Sequence, residues 1–136
     1  MFCAIIRSMV KYEKNTKRRL LYLVAAIIWG AIIFYLSSIP SLASGLPSWQ
    51  DFILRKLAHV AVFFMFTFLI AKSLDSTQRH YLLFAIIAGI FYAFIDELHQ
   101  LYTPGRVGAA QDILIDTFGV FLAMWFYVKK QKNLFD

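Results

Sequence analysis

Residues 81–100 read YLLFAIIAGIFYAFIDELHQ. About fifteen residues pass without a charge before Asp96 and Glu97 appear. A helix needs about 20 residues to cross roughly 30 Å of hydrocarbon. The apolar run is too short to span alone, so the last turns must carry Asp96, Glu97 and Gln100 into the membrane. A spanning helix over 81–101 that ends in carboxylates is therefore expected, with Thr103-Pro104-Gly105 breaking the chain after it.

The rest of the chain agrees. Sixty per cent of the 136 residues are hydrophobic and 16% are charged, whereas a water-soluble domain carries about 25% charge. Residues 20–36 hold no charge, and 57–71 hold only His59. Four spanning helices follow, over about 20–38, 53–74, 81–101 and 110–128. The fold class is an all-α integral membrane bundle with short loops. Residues 1–19 form a basic segment, 20–128 the membrane domain and 129–136 a basic tail. The opening ten residues, interrupted by Arg7, are too short for a cleaved signal peptide, so the first spanning helix should direct insertion. Cys3, the single cysteine, has no internal partner for a disulfide.

Orientation follows from Lys and Arg, which concentrate on the cytoplasmic side. Eleven of the 14 lie before the first helix, between the second and third, or after the fourth. Arg55, Lys56 and Arg106 are the three on the opposite side. Both ends are therefore expected in the cytoplasm. The net charge of +6 is explained by this topology, because the basic residues flank apolar segments, and nucleic acid is not an expected partner. Ala85, Gly89 and Ala93, then Gly119 and Ala123, recur at the spacing that lets helices approach closely.

The same orientation gathers the polar residues at one depth. Lys56 and His59 fall in the first turns of the second helix, and Asp96, Glu97 and Gln100 in the last turns of the third. Counting back from Lys129 places Asp112 and Asp116 inside the fourth, with Asp116 about 10 Å below the outer end at 1.5 Å per residue. Lys56 with His59, Glu97 with Gln100, Asp96 with Gln100, and Asp112 with Asp116 each share a helix face. Ionisable groups facing lipid are costly, so they turn inward and pair. One polar cavity between the second, third and fourth helices is expected, closed above by Arg106. Blander roles stand beside this one: Lys56 and Arg106 as snorkelling or salt-bridge residues, His59 as a packing histidine, and His99 on the rim. No nucleophilic serine or cysteine is expected at this depth.

Taken in order, Lys56-Leu57-Ala58-His59, Asp96-Glu97-Leu98-His99-Gln100, Thr103-Pro104-Gly105-Arg106, and Asp112 with Asp116-Thr117-Phe118-Gly119 resemble the VanZ-like family of bacterial membrane proteins. Phe34-Tyr35-Leu36-Ser37-Ser38 is similar to that family's first helix, and the likeness covers about residues 20–128. Two departures are visible: Asp116 stands where the family usually has Asn, and Ala109 stands near a position that often carries a small hydroxyl residue. The resemblance implies a multi-pass protein of the bacterial plasma membrane. It also implies a link to lowered susceptibility to the glycopeptide teicoplanin, as in the founding member.

Three chemistries fit the site. The first is binding of a membrane lipid, a lipid-linked cell-wall precursor or a glycopeptide. Lys56, His59, Asp96, Glu97, Gln100, Arg106, Asp112 and Asp116 would then contact the ligand, the two cations pairing with phosphate. The second is an intramembrane hydrolase or transferase. In that case Glu97, Asp112, Asp116 and His59 would hold a divalent metal such as Mg²⁺, Mn²⁺ or Zn²⁺, or Glu97 and His59 would act as catalytic acid and base. The third is a small ion-coupled transporter, since intramembrane carboxylates also mark proton paths.

Overall fold

Each apolar run becomes one helix. The computed structural model describes residues 2–40, 48–74, 78–104 and 110–132, with side chains over 15–40, 48–74, 78–104 and 111–131. The four helices are α1 (Phe2–Ser37), α2 (Ser48–Ser73), α3 (Tyr81–Leu101) and α4 (Ala110–Lys132). All four contain a stretch long and apolar enough to cross a membrane.

Three boundaries differ from expectation. The first helix begins at Phe2 rather than near residue 20, and its 36 residues make a rod of about 54 Å at 1.5 Å per residue. The second helix begins at Ser48 rather than near 53, and the fourth runs on to Lys132. Each extension brings charged residues into the helix: Arg18 and Arg19 in α1, Asp51 in α2, and Lys129, Lys130 and Lys132 in α4. Hydropathy locates the membrane portion of a helix, not where its backbone hydrogen bonds stop.

Burial is inverted relative to a soluble protein. Leu21, Ile27, Phe91, Leu114 and Phe118 face outward, while Ser37, Asp96, Glu97, Gln100, Asp112 and Asp116 are buried. Lipid is the solvent that makes this favourable, because it solvates apolar side chains and not carboxylates.

Helix α2 is the centre of the bundle, touching α1, α3 and α4; among the described residues α1 does not touch α4. One apolar layer packs Ile33, Phe63, Phe66, Ala93 and Val120. A second packs Ala71, Ala85, Ala123, Met124 and Tyr127. Close approach depends on two glycines. A methyl group added at Gly119 would lie 2.5 Å from the Val60 carbonyl oxygen, and one at Gly89 would lie 2.5 Å from Thr67 Oγ1. Interhelical hydrogen bonds fasten α1: Trp29 Nε1 donates to the Val62 carbonyl at 2.9 Å and Tyr92 Oη to the Gly30 carbonyl at 2.6 Å. Such bonds are worth about 0.6 kcal/mol each on average in a membrane protein.

Contacts at both ends show that successive helices alternate in direction. At one end, Arg19 Nε donates to the Ser73 carbonyl at 3.1 Å, and Lys72 lies over the Tyr127 ring. At the other end, Ser37 and Ser38 of α1 meet Asp96 and His99 of α3, while Lys56 of α2 meets Asp112 of α4. The polar residues of three helices and the end of the fourth are thereby brought to one level.

Candidate functional site

Ser37 closes α1 with its hydroxyl turned inward, donating to Asp96 Oδ1 at 2.5 Å. Gln100, one turn beyond Asp96 on α3, donates through Nε2 to Asp96 Oδ2 at 2.9 Å. Both oxygens of this buried carboxylate are thus held by neutral donors, and the i, i+4 face expected from sequence positions the glutamine. On the facing helices, His59 Nδ1 lies 2.9 Å from Asp116 Oδ1. Asp116 is fully buried, and its second oxygen has no hydrogen-bond partner among the described residues. An unpaired polar atom in an apolar interior costs more than a paired one, so this oxygen marks the site's least satisfied point.

These two pairs meet. Ligand-capable atoms of His59, Asp96 and Asp116 all lie within 4.8 Å of one another. Beside them a cavity of about 140 Å³ is lined by Ser37, Arg55, His59, Asp96 and Gln100 on its polar side, and by Ile33, Leu36, Ala58 and Val62 on its apolar side. It therefore opens among α1, α2 and α3, and not among the second, third and fourth helices. Asp116 of α4 stands behind His59.

The cations occupy separate pairs. Lys56 is ion-paired with Asp112, nearer the helix ends, and Arg55 with Asp51 one turn earlier on α2. Lys56 also borders a hollow of about 380 Å³ on another side of α2, otherwise lined by apolar residues including Phe52, Val60, Leu114 and Phe118. Lys56 thus takes the salt-bridge role that the sequence left open for it, with Asp112 as its partner. The metal-capable group contains Asp96, and neither Glu97 nor Asp112. Glu97 is buried on α3, but i+1 spacing turns it about 100° away from Asp96 on a helix of 3.6 residues per turn. Arg106, expected as the lid, and Ala109 lie outside the described residues.

Two features go beyond the expected set. The expectation that no serine reaches this depth is corrected by Ser37, and α1 supplies a wall of the cavity. The signal was the direction of the chain: a first helix running outward ends at the level where the second begins. Arg55 lines the cavity too, although hydropathy places it before the apolar run. His99 is not only a rim residue. It stacks on Phe34 at 4.1 Å between ring centroids, and its Nε2 lies 2.9 Å from Ser38 Oγ, joining α3 to α1.

No curated protein and no solved structure matches the chain. A family model does match, over residues 5–131, and so takes in every residue of this polar end from Ser37 to Asp116. The chain is a membrane-type four-helix member of the VanZ/LLP1 family.

Proposed function

We propose that the cavity binds the polar headgroup of a membrane lipid or lipid-linked cell-wall precursor at the outer face of a bacterial plasma membrane. Through that binding the protein lowers susceptibility to glycopeptides of the teicoplanin kind. One observation carries the reading: the cavity is amphiphilic, with Ser37, Arg55, His59, Asp96 and Gln100 along one side and Ile33, Leu36, Ala58 and Val62 along the other. A lipid presents the same division at its glycerol or prenyl junction. Arg55, paired with Asp51 through one nitrogen, has further N–H groups for a phosphate oxygen, and Asp96 is an acceptor for a headgroup amine or hydroxyl. The family resemblance supports the antibiotic link.

The test is co-purification. Wild type and Arg55→Ala are extracted in mild detergent and examined by native mass spectrometry, while teicoplanin susceptibility of the host is compared at equal membrane levels. Wild type should carry a lipid adduct that Arg55→Ala loses, along with protection. Adduct and protection unchanged in Arg55→Ala would remove the cavity from the function.

A second reading, an intramembrane hydrolase acting on such a lipid, is favoured by one specific arrangement. Asp116 orients His59 through Nδ1, the relation by which a carboxylate positions a histidine base. Turnover of the bound lipid in a purified sample, lost in His59→Gln, would select it.

A further inference from the structure

We propose that His59, Asp96 and Asp116 together bind one divalent transition-metal ion, Zn²⁺ or Mn²⁺, at the inner wall of the cavity. The three come from α2, α3 and α4, and their ligand-capable atoms lie within 4.8 Å of one another. Ligands about 2.0–2.2 Å from a shared ion stand roughly 3–4 Å apart. A closure of about 1 Å, within the reach of side-chain rotation, therefore completes the coordination geometry.

Three further observations point to an ion. Asp116, wholly buried, keeps one oxygen without a hydrogen-bond partner among the described residues, so a ligand atom is already desolvated inside the group. The charge is also unbalanced. Two carboxylates face one imidazole, Asp96 being held by the neutral Ser37 hydroxyl and Gln100 amide. The cations nearest in the chain, Arg55 and Lys56, are engaged by Asp51 and Asp112. Uncompensated charge in a membrane interior is costly, and a divalent ion offsets it. Finally, the Ser37 and Gln100 bonds are of the outer-sphere kind that fixes a ligating carboxylate in place.

The donor set selects the ion. One imidazole with two carboxylates suits Zn²⁺ or Mn²⁺, whereas Ca²⁺ and Mg²⁺ prefer all-oxygen cages and Cu⁺ prefers sulfur. Three protein ligands leave a coordination position open, as in catalytic rather than structural zinc sites. His59 and Asp96 also line the cavity, so the open position faces it. An anionic headgroup oxygen is the chemistry that would fill that position. The metal site itself does not depend on the headgroup reading.

The experiment uses the full chain in detergent, stripped with EDTA and titrated with MnCl₂ or ZnCl₂. Wild type should retain one ion per chain through gel filtration. Spin-echo spectra of the Mn²⁺ form should carry ¹⁴N coupling from one imidazole. His59→Gln, Asp96→Asn and Asp116→Asn should each weaken binding at least about tenfold, while Gln131→Ala, at the far end of α4, should not. Failure of wild type to retain either ion at about millimolar concentration would overturn the proposal. So would Mn²⁺ bound without ¹⁴N coupling, or a His59→Gln/Asp96→Asn/Asp116→Asn variant that binds like wild type. If the variants fail to fold, the wild-type spectrum still decides. Lipid co-purification from the same cells is read separately, so loss of one property does not imply loss of the other.

Discussion

Lys56 and Asp112 show how a charge pair behaves where water thins out. Their side chains are 24% and 13% exposed, so each has lost most of its hydration and depends on the other. Removing one partner leaves the other buried and unmatched, at a cost of about 1–3 kcal/mol. Replacing both with apolar residues is often close to neutral. Lys56→Ala is therefore expected to destabilise the protein by that amount, and Lys56→Met/Asp112→Leu to recover most of the loss. Unfolding in mixed detergent and SDS micelles checks this, and a double variant worse than the single would show that the pair contributes beyond mutual compensation. Ser37→Ala asks the matching question of a neutral donor. Asp96 would keep the Gln100 amide but lose the α1 hydroxyl, which should cost about 1 kcal/mol, read in the same assay. Because Ser37 is the polar residue that α1 brings to the cavity, beside Ile33 and Leu36, its loss should also weaken lipid retention more than it weakens the fold.

Helix packing rests on contacts where a single methyl group is too large. At Gly119 the obstacle is the Val60 backbone at 2.5 Å, and main chain cannot rotate aside. At Gly89 the obstacles are Thr67 Oγ1 at 2.5 Å and a Val120 methyl at 2.9 Å, both side-chain atoms with some room to yield. Gly119→Ala should therefore cost at least the upper part of the roughly 1–3 kcal/mol range for overpacking, and Gly89→Ala less. Micelle unfolding of the two variants tests the order; equal costs would mean that α2 and α4 separate freely. These glycines also mark what is legible in the sequence. The helices are legible because span length is set by the bilayer, and the small-residue faces are legible because 3.6 residues per turn aligns them. Which faces meet is not legible. Asp112 and Asp116 share one face of α4, and the face of α2 that they meet is the one carrying Lys56 and His59, a pairing that neither helix's own spacing names. Asp96 and Glu97 are adjacent in sequence, but only Asp96 joins His59 and Asp116. Spacing along one helix names a face; the rotation of its neighbours chooses the partner.

At the scale of the whole molecule, the arrangement has a polar end and a basic end. Ser37, Lys56, His59, Asp96, Gln100, Asp112 and Asp116 gather where α1 and α3 finish and where α2 and α4 begin. Arg19 and Lys72 lie at the opposite end, with Lys129 and Lys130 closing α4 there. Positively charged flanks are retained in the cytoplasm, so the polar end should face outward, the side on which a glycopeptide or an externalised wall precursor is met. Cysteine labelling in a Cys3→Ser background tests the orientation. Ser44→Cys, in the segment joining α1 to α2, should react in intact cells with a maleimide that cannot cross the membrane. Gln78→Cys, before α3, should react only after the cells are permeabilised. The opposite pattern would turn the cavity toward the cytoplasm and end the proposed role at the envelope surface. The proposed ion site at His59, Asp96 and Asp116 would survive that result, because it depends on how three helices pack and not on which side of the bilayer they point to.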